Sequence, residues 1–403
     1  MDKIELLAPA KDFFKAKIAI DYGADAVYIG GKNFSLRYRA SNFENEDIEK
    51  IVEYAHSKNA KIYVTINIVF HDDDFEGLKE YIKFLASIKV DAFIVSSVFV
   101  MALVKDMAPN VEVHVSTQLS SLNSEAINTL KMYGADRVVL AREASMNDIK
   151  EMCAVSKLPI EVFIHGGMCS NYSGRCVLSN RMTKRDANRG GCAHSCRWKY
   201  KVYDKEELIS DENIPFSMSS KDLKAYEYIE DMINCGVSSL KIEGRMKSEY
   251  YIAQVVKTYR NMIDEIYGFG HLNKDRLDYY NRELAKAENR ESDSGFLSGT
   301  CDDDKHLYGL ENDTVSHDYV ALVKAYDENR GLALVEVKNA FKKDDLLEVF
   351  GPDYDNKQFV NELMFDSDWN YLSEANKPTE LIILRIPFEV NKNDMIRRIR
   401  NAR

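Results

Sequence analysis

FFKAKIAIDYGADAVYIG, residues Phe13–Gly30, holds one full period of the rhythm that decides the fold. Phe13–Tyr22 carries apolar side chains at helical spacing, Gly23 suits the tight turn that ends a helix, and Asp25–Gly30 is a β-rich run. Similar steps into a strand recur as Val90-Asp91-Ala92 and Gly134-Ala135-Asp136. Working outward, the β-rich runs are Ile4–Ala8, Asp25–Gly30, Lys61–Asn67, Ala92–Ser97, Glu112–Thr117, Asp136–Ala141, Ile160–His165 and Ser238–Gly244. Helix-like segments such as Asn45–Ser57, Phe75–Lys89 and Asn123–Tyr133 lie between them. Eight strand–helix units predict an α/β fold, a (β/α)₈ TIM-like barrel over residues 1–268. The rival is a doubly wound sheet, but no run is followed directly by GxGxxG.

The eighth unit is delayed. Residues 166–237 form an insertion between strands 7 and 8, which this fold places at the C-terminal face where barrels do their chemistry. Ile214–Ser220 inside it reads as an extra strand. Residues 269–313 are polar and largely aperiodic, a connecting segment with a short helix around Leu277–Glu288. Residues 314–403 turn to short β runs separated by glycine and charged turns, which predicts a small C-terminal β-barrel domain. The chain carries 54 Lys+Arg against 65 Asp+Glu, a net charge of -11. That balance disfavours non-specific binding along DNA but leaves room for a local basic surface that docks a folded RNA. No apolar run reaches the roughly 18 residues a transmembrane helix needs, so no membrane partner is expected. The N-terminal stretch lacks the features of a secretory signal, and a cytoplasmic location is the expectation.

The insertion holds Cys169, Cys176, Cys192 and Cys196 in a C-x₆-C-x₁₅-C-x₃-C pattern. Four thiolates meeting at one centre suit a [4Fe–4S] cluster or a tetrahedral zinc. The wide first spacing departs from the close pairs of structural zinc and tilts the reading towards iron–sulfur. Cys235 is a further candidate ligand, though its more ordinary role is packing at a helix end, while Cys153 and Cys301 have no argued role. Arg175, Arg181, Lys184, Arg185, Arg189, Arg197 and Lys199 make this the densest basic stretch of the chain. They can hold RNA phosphate, offset a cluster's negative charge, or simply form a solvated surface.

Strand ends facing the mouth supply Asn67, Ser96, Ser116, Gln118, Arg142, Glu143 and His165. The last strand adds Lys241, Glu243, Arg245 and Lys247, and Arg37 and Arg39 follow the second strand. Lys241 and Glu243 share a strand face, giving either a salt-bridged ladder or an anion site for carboxylate or phosphate. Glu161 shares a face with Phe163 and His165, and a carboxylate there needs a partner such as Lys241. His165 reads as an acid–base group, a cluster neighbour or a packing residue. The candidate catalytic set is His165, Glu161 and Glu243.

These pieces together resemble the collagenase-like peptidase family of unassigned catalytic type. Within it they resemble the branch of prephenate-dependent hydroxylation of the tRNA wobble uridine. The resemblance rests on ELLAPA at Glu5–Ala10, GADAVYIGG at Gly23–Gly31 and FSLRYRASNF at Phe34–Phe43. It rests further on EVFIHGGMCSNYSGRCVLS at Glu161–Ser179 and SLKIEGRMKSEYY at Ser239–Tyr251, and so spans the barrel. It implies a tRNA-modifying enzyme that forms 5-hydroxyuridine at position 34 without molecular oxygen, with prephenate as co-substrate. It also implies a [4Fe–4S] cluster on Cys169, Cys176, Cys192 and Cys196, with Cys235 as a substitute ligand. The tRNA anticodon loop would be the partner, alongside a homologous partner subunit in some members. Tyr172, Trp198 and Tyr200 would stack on bases, Arg175, Arg185 and Arg197 would hold phosphate, and Lys241 and Arg245 would face the prephenate carboxylates. The alternatives are a collagenase-like peptidase, or an iron–sulfur hydroxylase acting on rRNA or a quinone precursor. Neither HExxH nor GxSxG is present to give proteolysis a mechanism.

Overall fold

The computed structural model describes residues 3–36, 42–300, 302–307 and 315–400. Arg37, Arg39 and Cys301 lie outside the described residues. Eight parallel strands close into a barrel: β1 (Glu5–Pro9), β2 (Ala26–Gly30), β3 (Lys61–Ile66), β4 (Ala92–Val95), β5 (Glu112–Val115), β6 (Arg137–Val139), β7 (Ile160–Gly166) and β8 (Ser239–Ile242). Each pairs with the next, and β8 closes the ring on both β7 and β1. The outer helices are α1 (Phe13–Asp21), α2 (Asn45–Ser57), α3 (Leu78–Ser87), α4 (Val98–Met107), α5 (Ser124–Met132) and α6 (Met146–Val155). The insertion contributes a short α7 (Leu178–Thr183) and α8 (Ile229–Asn234), and the long α9 (Glu249–Phe269) and α10 (Lys274–Ala285) follow β8.

The recurring aspartate has a structural task. Asp25 donates its N–H to Leu6 O at 3.0 Å, and its carboxylate accepts the Leu6 N–H at 2.8 Å. Asp91 does the same with Ile62, at 3.1 and 2.8 Å, and Asp136 with Val113, at 2.8 and 2.8 Å. Each aspartate thereby fixes the start of one strand against its predecessor and satisfies a backbone donor at the barrel floor. At the corresponding place before β8, Ser238 gives both its N–H (2.9 Å) and its hydroxyl (2.7 Å) to Ile160 O. Three successive strand pairs thus share one aspartate corner, and the β7–β8 pair uses Ser238 in its place.

Its interior is filled partly by charge. Glu161, fully buried, accepts from Lys241 Nζ at 2.6 Å and lies 3.3 Å from Arg137 Nη1, which also contacts Glu5 at 2.5 Å. Tyr63 donates to the same Glu5 at 2.5 Å and Ser239 at 2.8 Å.

The insertion is stitched to the barrel by Asp222–Lys224, which runs antiparallel to the end of β7. Ser292–Asp293, from the polar segment, pairs in turn with Asp222–Lys224, so part of that segment is built into the barrel sheet. Within Ile214–Ser220, only Ser219–Ser220 is a strand, paired with His306–Leu307, while Phe216 makes a single bridge to Tyr200.

The C-terminal domain is a separate sheet. Its longer strands are β9 (His317–Asp327), β10 (Leu332–Val337), β11 (Leu346–Phe350), β12 (Lys357–Val360), β13 (Leu381–Arg385) and β14 (Met395–Ile399), in the order β12-β11-β14-β9-β10-β13. It has its own core around Val323, Val335, Val349 and Ile396. It docks on the outer helices: Tyr22, which caps α1, donates to Asn393 O (3.1 Å), and Lys257 of α9 donates to Gly351 O (2.6 Å). No helix of the described residues is long and apolar enough to cross a membrane.

Candidate active site

Strand β7 leads into the insertion through Gly166, whose φ is +104° and where a Cβ would sit 2.2 Å from Glu243 O. Only glycine fits this corner, and it turns the chain over the barrel mouth. The first cysteine loop is then pinned to the strand-end loops. Glu143 accepts from Ser173 N (2.9 Å) and Ser173 Oγ (3.2 Å), and Ser120 Oγ donates to Ser173 O (2.5 Å). Gly174, at φ +74°, passes so close to Gln118 O that a Cβ would lie 2.2 Å from it. The second half is held by Arg189, which makes two bonds to the Asp74 carboxylate at 2.6 and 2.8 Å, and by Asn188 Nδ2 donating to Cys176 O at 2.8 Å.

This scaffold places Cys169, Cys176, Cys192 and Cys196 on the wall of one cavity of about 640 Å³ at the C-terminal end of the barrel. None of the four forms a disulfide. Reduced solvation raises the Cys169 thiol above its ordinary value; the nearby Cys196 and Cys176 push it the same way, against an N–H from Asn171 and the charge of Arg142. Among the described residues, no three His, Cys, Asp or Glu are gathered closely enough to hold a metal ion. The donor set itself, four unpaired thiols on one wall, fits a tetrathiolate centre in chemistry.

Cys235 is elsewhere. It caps α8, donates to Met232 O at 3.4 Å and hydrogen-bonds the thiol of Cys153 on α6. The expectation that it could replace one of the four therefore meets a helix-layer position that does not line the cavity.

The three candidate acid–base residues part company. Glu243 lines the cavity, where its carboxylate lies 3.3 Å from Arg142 Nη2 and 3.4 Å from the Tyr28 hydroxyl. Glu161 lies below it, locked between Lys241 and Arg137. His165 is turned away by an irregularity in the β7–β8 register, where Lys241 faces Phe163 and Ile242 faces His165, with Ile164 unmatched. Its ring packs on Tyr251 and Tyr259 of α9, with Nδ1 3.2 Å from the Tyr259 hydroxyl. Burial, reinforced by Lys224 and Lys247, holds its pKa down at about 3, so it is neutral at pH 7.

Of the expected anion-binding residues, Lys241 is committed to Glu161, and Arg245 donates to Ser35 Oγ (2.8 Å) and to Leu36 O. Arg175 and Arg185 are exposed on the insertion, as are Tyr172 and Trp198, with Trp198 6.4 Å from Tyr200. Arg197 lies at the cavity. The structure adds Asp222, Asn289 and Arg290 to its lining. No periodicity or motif marks the last two in the sequence, because strand pairing through residues 292–293 is what carries that segment to the mouth.

The family model described as peptidase family U32 matches residues 11–307, and the one described as peptidase family U32 C-terminal domain matches residues 315–397. The tRNA hydroxylation protein P1 of Bacillus subtilis is 44% identical over 404 residues, covering 98% of this chain and 95% of its own length. The tRNA hydroxylation protein P of Escherichia coli is 31% identical over 442 residues, covering 98% and 96%. A collagenase of Porphyromonas gingivalis is 34% identical over 353 residues, covering 84% of each chain.

Proposed function

The chain belongs to peptidase family U32, alongside proteins named for tRNA hydroxylation, and from that footing we propose that it is a tRNA hydroxylase converting uridine 34 to 5-hydroxyuridine with prephenate as co-substrate. The observation that carries this reading is a cavity at the barrel mouth whose lining four disulfide-free cysteines share with Glu243 and Arg142. Cys169, Cys176, Cys192 and Cys196 would hold a [4Fe–4S] cluster, which when bound supplies redox or Lewis-acid chemistry to the oxygen transfer.

The protein's own residues do the rest. An anticodon loop presents unstacked bases, and the exposed rings of Tyr172 and Trp198 offer faces on which they stack. Arg175 and Arg185, exposed on the same insertion, meet phosphate. The wobble base turns outward into the cavity. There Glu243, oriented by Arg142 and Tyr28, is the carboxylate placed to move a proton at the base. His165, neutral and walled off by α9, holds the strand against that helix.

Anaerobic purification with iron, sulfide and zinc analysis tests the centre. About four irons per chain, lost in Cys169→Ser or Cys176→Ser, is the expected result. Stoichiometric zinc would make the site structural and end the redox role. Nucleoside analysis of tRNA from a deletion strain tests the substrate: 5-hydroxyuridine should vanish and return with the intact gene. The relative named as a collagenase keeps a peptidase reading in view. Gelatin hydrolysis that survives replacement of all four cysteines, with tRNA unchanged in the deletion strain, would decide for it.

A further inference from the structure

Three cations converge at one edge of the cavity, around the carboxylate of Asp222. Lys247 Nζ and Arg290 Nη1 each lie 3.7 Å from Asp222, on its two different oxygens. Arg197 stands beside them: a Cβ on Gly167 would be 3.5 Å from Arg197 Nη2 and 3.9 Å from Asp222 Oδ1. The bonding of this group is incomplete. Arg290 Nη1 and Asp222 Oδ1 are buried without hydrogen-bond partners, and the Arg197 guanidinium donates no hydrogen bond among the described residues. Lys247 donates to Asn289 Oδ1 at 2.9 Å, and burial, with Arg290 and Arg197 adding to it against Asp222, keeps its pKa below the ordinary lysine range.

Partly buried like charges with unfilled donors repel unless something anionic joins them. Three cationic groups thus face one carboxylate at 3.7 Å or beyond, with Arg290 Nη1 and Asp222 Oδ1 still unfilled, at the wall that also carries Cys196. The more obvious cations are already satisfied, Lys241 by Glu161 and Arg245 by Ser35 and Leu36 O. A cavity of about 640 Å³ has the size of a small-molecule site. The exposed Arg175 and Arg185 lie on the insertion and suit a nucleic-acid backbone better.

We infer that Arg197, Lys247 and Arg290 form the receptor for a small organic dianion, and that they, rather than Lys241 and Arg245, hold the two carboxylates of the co-substrate. This rests on the prephenate-dependent reading above for the identity of the ligand but not for the existence of the site. Arg290 is the decisive member, since its buried Nη1 has no other partner.

Calorimetric titration of the full chain, purified without oxygen, tests the assignment. The probes are prephenate, malonate, inorganic phosphate and an anticodon stem-loop RNA. Prephenate binding should weaken about tenfold or more in Arg290→Gln and in Lys247→Gln, as expected for loss of a charge-assisted bond. Circular dichroism and thermal melting of both variants should match the parent, and if either variant melts early, Arg197→Gln replaces it. Equal prephenate affinity in parent and variants would overturn the site and leave the hydroxylase reading untouched. Malonate binding that falls in the variants while prephenate fails to bind at all would keep the site and remove prephenate. Weakening confined to the RNA or phosphate would overturn the proposal in favour of a backbone-phosphate contact.

Discussion

His165 and Glu161 show how one strand sends two ionisable side chains to different work. Glu161 is fully buried, yet its carboxyl stays below the ordinary range: burial alone would raise it, and Lys241 and Arg137 more than offset that. His165 is depressed to about 3 because burial and the positive charges of Lys224 and Lys247 all oppose protonation. The unfolded histidine takes up its proton near pH 6.5 and the folded one does not, so between about pH 6.5 and 3 the unfolded chain binds one more proton. The resulting stability is complete above pH 6.5 and is lost as pH falls through that window, at about 1.4 kcal/mol per pH unit. Urea unfolding of the parent and His165→Leu at pH 7 and pH 5 should therefore show a smaller loss on acidification in the variant. Equal losses would mean that the ring is not held neutral against α9.

At the scale of the element, the corner aspartates Asp25, Asp91 and Asp136 give three of the strand pairs their register. Asp91 satisfies the Ile62 N–H that a barrel floor would otherwise leave open. Asp91→Ala should cost about 1–3 kcal/mol, the penalty for an unsatisfied backbone donor, and Asp91→Asn, which keeps an acceptor oxygen, should cost less. Thermal melts of the two variants check the order. The repeated Gly-Ala-Asp and Val-Asp-Ala steps were legible in the sequence because a short-range turn carries them, and the strands they introduce fall within a few residues of the β-rich runs. The Glu161–Lys241 contact was legible for a similar reason, as both residues lie on adjacent strands with fixed face alternation. Alternation failed at His165, because the irregular register beside Ile164 reverses the face and leaves no mark in composition. Cys235 took the more ordinary of its two readings, packing at a helix end beside Cys153, and a thiol there looks the same in sequence whether or not it faces the mouth.

For the whole molecule, the join between barrel and C-terminal sheet turns on Arg397. Its side chain is completely buried, with Nε 2.8 Å from Glu348 on β11, and Nη1 2.6 Å from Gln254 and 3.3 Å from Tyr250 on α9. One guanidinium therefore bonds within its own domain and across to the other. Burial pushes Glu348 up, but Arg397 and Lys286 together hold it at about 2. Truncating the arginine leaves that buried carboxylate only Lys286 Nζ, 3.1 Å away, as a charged partner and Gln358 Nε2, 3.0 Å away, as a neutral donor, and removes the donors facing α9. Arg397→Met should cost about 3–5 kcal/mol, the usual result of breaking a buried pair from one side. Gln254→Leu removes the barrel's acceptor for Nη1, together with the amide's own bonds to Glu283 and Thr258, but leaves the Arg397–Glu348 pair intact and should cost less, about 1–3 kcal/mol. The two domains have separate hydrophobic cores, apart from Leu322, Phe350 and Met395, which belong to the barrel's cluster. Loss of the polar tie should consequently separate their unfolding: calorimetry should resolve two transitions in Arg397→Met where the parent shows one. A single transition merely shifted to lower temperature would mean that Tyr22, Phe350 and Lys257 suffice to couple the domains, and that the arginine serves only its own sheet.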